Sequence, residues 1–350
     1  MKTPWIAVCL ALALPDAFAE DKGRITYLET ESFAQLPSGV RYPEGIAANP
    51  ATGDIFTATF DFGPNSNKVV RFSANGKVTA VRDFGPTPLL GLGFAGNSVY
   101  ILNFGASKLQ RLPADFDAAT PVQDVASFPT IGPTAPRPSG NPDGTSDTIV
   151  FAAGFPAPNG MAFDAAGNLY VSDSFQGAIY RIAQVATCPA PACPVEVVSH
   201  DPLLSTAGFP PFGANGLALS ADQKTLYIAN TGDNRVLQMD VASRAVSVFA
   251  ESVHGADGLW FENGRLWVAA NQSDVVVALN ASGRQVIRAG EFQGIRKDGT
   301  PDGLLFPASM TVVGGWMYVA NLALPLTPMV GDEPEEDVRT WTLSRFKLPN

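Results

Sequence analysis

Four residues with hard-oxygen side chains stand in one recurring local frame. Glu44, Asn159, Asn215 and Asp257 each precede a glycine and then a short apolar run, in "PEGIAA", "PNGMAF", "ANGLAL" and "ADGLWF". Brought to one point, two carboxylates and two amide oxygens form a donor set suited to Ca2+ or another divalent cation. Ca2+ takes about six to eight oxygens at about 2.3–2.6 Å. The two negative charges balance the ion, and four protein donors leave room for water or a substrate oxygen. A single Asn-Gly or Asp-Gly pair is most simply a turn. The metal reading therefore rests on repetition: the apolar frame stays fixed while the position before the glycine keeps an oxygen ligand.

The same frame defines the elements that must position these residues. It returns as "LLGLGFAGNSVYILN" at 89–103 and, more loosely, as "PASMTVVGGWMYVAN" at 307–321. That makes six copies, with Leu90 and Ser309 read at the places of the four oxygen residues. Their spacing, about 40 to 70 residues, is that of propeller-blade repeats with insertions. Each copy supplies two clear strands and two weaker ones. In the fourth copy they read "NGLALS", "TLYIAN", "RVLQMDV" and "AVSVFA", separated by turn residues. Four antiparallel strands repeated six times predict an all-β, six-bladed β-propeller. The first strand of each blade lines a central channel, so its first residue sits at one mouth beside its counterparts. The glycine after each oxygen residue allows a tight backbone there. Asn103, Asp173, Asn230, Asn271 and Asn321 end second strands, which return to the same mouth. They are candidates for supporting the ligands or touching substrate, or else for holding inter-blade loops. His254, three residues before Asp257, is either a proton carrier at that mouth or a plain loop histidine.

Charged residues make up 16% of the 350, and the net charge of −10 disfavours nucleic-acid backbones, which demand clustered Lys and Arg. The first 19 residues, "MKTPWIAVCLALALPDAFA", read as a signal peptide cut before Glu20, which would remove Cys9 and export the chain to a secreted or periplasmic location. Residues 20–350 are then expected to form one domain, interrupted at 129–148 (rich in Pro, Gly and Ser) and at 186–194. No other run is long and apolar enough for a membrane span. Cys188 and Cys193, in "TCPAPACP", are expected to form a structural disulfide worth about 2 kcal/mol. The "GLGFAG" at 91–96 matches a nucleotide-binding fingerprint, but the adjoining "NSVYILN" reads as a strand, where that fingerprint needs a helix. With two histidines, His200 and His254, and no G-x-S-x-G, a serine triad or zinc site has little to build on.

Over roughly residues 40–325, "YPEGIA", "PNGMAFD", "ANGLALS" and "ADGLWFE" resemble the gluconolactonase/regucalcin (senescence marker protein) family of six-bladed propellers, and their relative diisopropylfluorophosphatase. The resemblance implies a divalent ion in the channel held by Glu44, Asn159, Asn215 and Asp257. It also implies that Asp257 doubles as general base or nucleophile. Trp260 stands where phosphatase-like relatives place an aspartate for a second Ca2+, so a second ion is not expected. Neither histidine falls in a motif matching the histidine pair of paraoxonase-like relatives. The expected function is a secreted, Ca2+-dependent, monomeric hydrolase acting on a small lactone or ester. The alternative is a non-catalytic Ca2+-binding propeller that serves as a binding protein. A strictosidine-synthase-like role, which needs a carboxylate acting on an amine, stands third.

Overall fold

The computed structural model describes residues 24–349; the expected signal peptide, its cleavage point and Cys9 lie outside them. Six four-stranded antiparallel sheets succeed one another along the chain and surround an axis. The innermost strands are Pro43–Ala48, Leu92–Ala95, Pro158–Phe163, Ala214–Leu219, Ala256–Glu262 and Pro307–Val313, which begin blades 1 to 6. Each touches the innermost strands of the blades beside it, so the ring is closed. Among the described residues helix is confined to three short 3-10 turns, and no helix is long and apolar enough to cross a membrane.

The strand patterns explain why the sheets stack around an axis. Second strands read as near-continuous apolar runs, such as "IFTAT" at 55–59, as does the third strand of blade 5, "VVVAL" at 275–279, and both are buried along their length. A strand covered on both faces needs no alternation. The core therefore lies between blades rather than at one centre. Phe56 and Val69 of blade 1 pack on Val99 and Ile101 of blade 2, and Val236 of blade 4 packs on Leu266 and Val275 of blade 5. Outermost strands, such as Val78–Gly85, are only partly covered.

Closure uses the first described strands of the chain. Glu31–Gln35 pairs antiparallel with Thr342–Lys347 and supplies the outermost strand of blade 6. Thr26–Leu28 adds a fifth, parallel strand to blade 5 along Gln285–Ala289. The 129–148 insertion contributes to a hairpin, Arg137–Gly140 with Ser146–Ile149. Arg137 of that hairpin pairs with Asp233 at 2.8 Å. The second insertion, between the third and fourth strands of blade 3, carries the Cys188–Cys193 disulfide, with Cα atoms 5.3 Å apart.

Candidate functional site

Strand register fixes which residues are equivalent. In each blade except blade 2, a residue of the innermost strand pairs with the end of the second strand, and the ladder then skips before resuming: Pro43 with Thr59, Pro158 with Asp173, Ala214 with Asn230, Ala256 with Ala270, Pro307 with Asn321. The next residue inward is Glu44, Asn159, Asn215, Asp257 and, in blade 6, Ala308. Ser309 thus lies one residue further on, in the place of the glycines, rather than beside the four oxygen residues. Blade 2 places Leu90 at the ring, two residues before the Leu92–Ile101 pair.

The glycine layer sets how close the blades come. A Cβ on Gly45 would lie 2.2 Å from the Leu90 carbonyl oxygen, on Gly91 2.3 Å from that of Asn159, and on Gly160 2.4 Å from that of Asn215. On Gly216 it would lie 2.2 Å from the Asp257 carbonyl oxygen, and on Gly258 2.6 Å from that of Ala308. No real Cβ contact is that short, so five successive blade junctions are packed backbone to backbone. That contact brings the residues just before the glycines together on the axis. Glu44, Asn159, Asn215 and Asp257 are 2 to 5% exposed.

The amides are oriented by hydroxyls one residue past the second-strand ends. Ser174 Oγ donates its single proton to the Ala214 carbonyl at 2.7 Å, so it must accept from Asn159 Nδ2 at 2.9 Å. Thr231 Oγ1 donates to the Ala256 carbonyl at 2.7 Å and accepts from Asn215 Nδ2 at 2.9 Å. Both amide oxygens are thereby turned away from those hydroxyls. In blade 5 the same place holds Asn271, whose Nδ2 donates to Asp257 Oδ2 at 3.0 Å. Sequence reading singles out Asn271 but passes over Ser174 and Thr231.

Three oxygens of the ring, Glu44 Oε2, Asn159 Oδ1 and Asp257 Oδ1, are buried without a hydrogen-bond partner. An unsatisfied buried acceptor costs about 1–3 kcal/mol, more when charged. A cation satisfies several such acceptors at once. Burial pushes the Glu44 carboxyl well above its ordinary range, the nearby Asp257 charge pushes it further, and the Ser309 side chain offsets part of this. Burial raises Asp257 to about 7, while Asn271 and Asn215 act to lower it. Two buried carboxylates that disfavour each other's charge need a positive partner to ionise together. Among the described residues no three of His, Cys, Asp and Glu converge anywhere, so the ring's donors are of mixed carboxylate and amide type. Hard oxygens without thiolate or imidazole fit Ca2+ or Mg2+ better than zinc.

The other singled-out residues are engaged elsewhere. Asp173 accepts from the backbone nitrogens of Ala157, Phe175 and Gln176 and from Tyr180 Oη. Asn230 donates to the Leu203 and Ser205 carbonyls, and Asn321 to Thr342 and Ser344. Asn103 caps the 3-10 turn Phe104–Ala106 and donates to Gln110. These contacts are the loop-holding alternative. His254 is exposed and borders a separate cavity of about 250 Å3 with Glu251 and Arg288.

Two environments meet at the ring. On one side runs the central channel, a cavity of about 590 Å3 extending from Asn159 and Asn215 along the innermost strands to Phe163 and Val312. On the other side Leu90 and Ala308 join a cluster with Phe60, Phe104 and Leu322.

A closed ring of six blades with a carboxylate–amide centre on its axis defines the class: a six-bladed propeller with a candidate cation site at the channel mouth. Within it, residues 205–291, which hold Asn215, Asp257 and blades 4 and 5, match the SMP-30/Gluconolactonase/LRE-like region. No curated protein sequence matches the chain. Among solved structures, regucalcin from Agrobacterium tumefaciens, a calcium-binding protein, superposes with a TM-score of 0.59 at 14% identity, covering 93% of this chain and 97% of its own. A luciferin-regenerating enzyme gives 0.56 at 15%, covering 89% and 92%. A gluconolactonase from Xanthomonas campestris gives 0.54 at 15%, covering 90% and 89%. At such identities the likeness is one of fold.

Proposed function

We propose that the chain is an exported, Ca2+-dependent hydrolase of the lactonase type. The observation that carries this reading is the set of buried, partnerless oxygens of Glu44, Asn159 and Asp257 at one point on the axis. The matched region and the structural likeness to a gluconolactonase support it. Glu44, Asn159, Asn215 and Asp257 would hold the ion. When bound, it would supply a Lewis acid for a substrate carbonyl oxygen.

The residues of the chain do the rest. Asn159 keeps its oxygen free because Ser174 occupies its amide nitrogen, and Thr231 holds the Asn215 amide nitrogen in the same way. Asp257, held through Oδ2 by Asn271, has Oδ1 free to take a proton from water. The water oxygen bonds to the carbonyl carbon, the ring C–O bond breaks, and the leaving alkoxide takes the proton from Asp257. The product is a hydroxy acid. Direct attack by Asp257, with hydrolysis of the resulting mixed anhydride, is the other route open to the same carboxylate. Hydroxylamine separates them: capture of the acyl group as a hydroxamate, or heavy oxygen from solvent appearing in Asp257 after a single turnover, marks the second route.

The test of the reading is proton release over a panel of sugar, alkyl and aryl lactones. Turnover that a chelator abolishes and Ca2+ restores, together with one calorimetric Ca2+ site per chain, is the expected result. Undiminished turnover in chelator would overturn the metal assignment. Export is checked by intact mass, which should begin at Glu20.

A further inference from the structure

The side of the ring facing away from the channel is aromatic. Phe60 and Phe104 lie 5.4 Å apart between ring centroids, and Phe212 is within 6.2 Å of Phe60 and 6.4 Å of Phe104. Leu90, a ring position without oxygen, packs into the same cluster. The tract does not stop below the surface. Phe62 stands 4.7 Å from Phe60 and is 66% exposed; Phe155 stands 5.2 Å from Phe104 and is 49% exposed. A continuous run of phenylalanines thus links solvent to Leu90, the ring position beside Glu44 and Asn159 that carries no oxygen.

This path is selective by its chemistry. Each hydroxyl of a polyhydroxylated ring laid against it would lose water without gaining a partner, at a cost of about 1–3 kcal/mol per group by protein data. An alkyl or aryl group gains instead, because its area leaves water.

We propose that the substrate is a lactone or ester bearing an alkyl or aryl substituent. Its carbonyl would face the oxygen ring and its apolar group would lie along Phe60, Phe104 and Phe62. This assignment rests on the lactonase reading for the carbonyl end and on the aromatic tract for the other.

The test uses non-hydrolysable lactams, so that binding is measured apart from turnover. The full chain at saturating Ca2+ is titrated with pyrrolidinone, its octyl-substituted form and a sugar lactam. The octyl form should bind about 10²-fold tighter than pyrrolidinone, the worth of about three to four methylenes removed from water. The sugar lactam should bind no better than pyrrolidinone. Phe62→Ser, at an exposed position that leaves the fold intact, should lower the octyl preference about fivefold, and Phe104→Val should lower it further. Equal affinities, a preference for the sugar lactam, or a preference unchanged in both variants would overturn the proposal. If the octyl preference holds while every lactone in the panel is inert, the hydrolase reading falls and the apolar-ligand site stands. If lactones are hydrolysed without regard to substituent, the hydrolase reading stands and this proposal falls.

Discussion

Blades 3, 4 and 5 meet the channel mouth differently from blades 6, 1 and 2. In the first group each ring residue has a polar side chain one residue past the second strand: Asn159 with Ser174, Asn215 with Thr231, Asp257 with Asn271. In the second group that place holds Leu322, Phe60 and Phe104, all apolar and buried. Glu44 is the only oxygen residue at the three ring positions of that half, and its Oε2 has no partner. Five of the six blades share the glycine layer, with Ser309 in its place in blade 6, so most of the difference lies in side chains. One half fixes oxygen donors rigidly; the other offers a surface for carbon.

The comparison makes graded predictions. Asp257→Asn keeps an oxygen of similar shape but removes the basic carboxylate. Lactone turnover at saturating Ca2+ should fall about 10²–10⁴-fold, while calorimetry still detects weakened Ca2+ binding. Wild-type turnover in this variant would remove Asp257 from the chemistry. Glu44→Gln, across the ring, takes one of the two charges from the donor set, and Ca2+ affinity should drop on the order of 10²-fold. Unchanged affinity would mean the ion sits elsewhere.

The glycine layer should ignore the distinction between halves. Gly91→Ala and Gly216→Ala each force a Cβ to within 2.3 and 2.2 Å of a neighbouring carbonyl oxygen. Both should lose about 1–3 kcal/mol or more in urea unfolding. A large loss at only one of them would show that the junctions are not equivalent.

Ser174→Ala removes the acceptor that turns Asn159 and should weaken Ca2+ binding about 10–100-fold with the fold retained. A merely structural serine would lower stability and leave affinity alone. Smallest is Phe60→Leu, which should cost under about 1.5 kcal/mol and leave Ca2+ affinity unchanged. A loss of affinity there would break the division between the halves.

Much of this was legible in the sequence because the apolar frame is strict and its exceptions are few. Glu44, Asn159, Asn215 and Asp257 stand out against it, and the six repeats emerge from the same frame. What was missed has physical reasons. In blade 6 the glycine place holds Ser309, so the frame read from sequence is one residue out of register and passes over Ala308. Side chains on a strand alternate faces, and a shift of one residue changes which face is read. For the same reason the strand-end residues Asp173 and Asn230 drew notice, while Ser174 and Thr231, one step on, hold the ligands. The outer strand Glu31–Gln35 is mostly exposed and lacks a strong apolar pattern to announce it.

The pairing of Glu31–Gln35 with Thr342–Lys347 also sets an order of assembly. During synthesis Glu31–Gln35 must wait, unpaired, until the last blade has emerged. Five blades can build from neighbours in sequence, but the sixth joins segments about 310 residues apart, a contact whose loop entropy is met only at the end. The oxygen ring inherits that timing. Glu44 lies in the first blade and Asp257 in the fifth, so the donors converge only as the circle shuts. Ca2+ that binds the finished ring and not the open chain would act as a latch on closure, and withholding it should slow the final folding step more than the formation of individual blades.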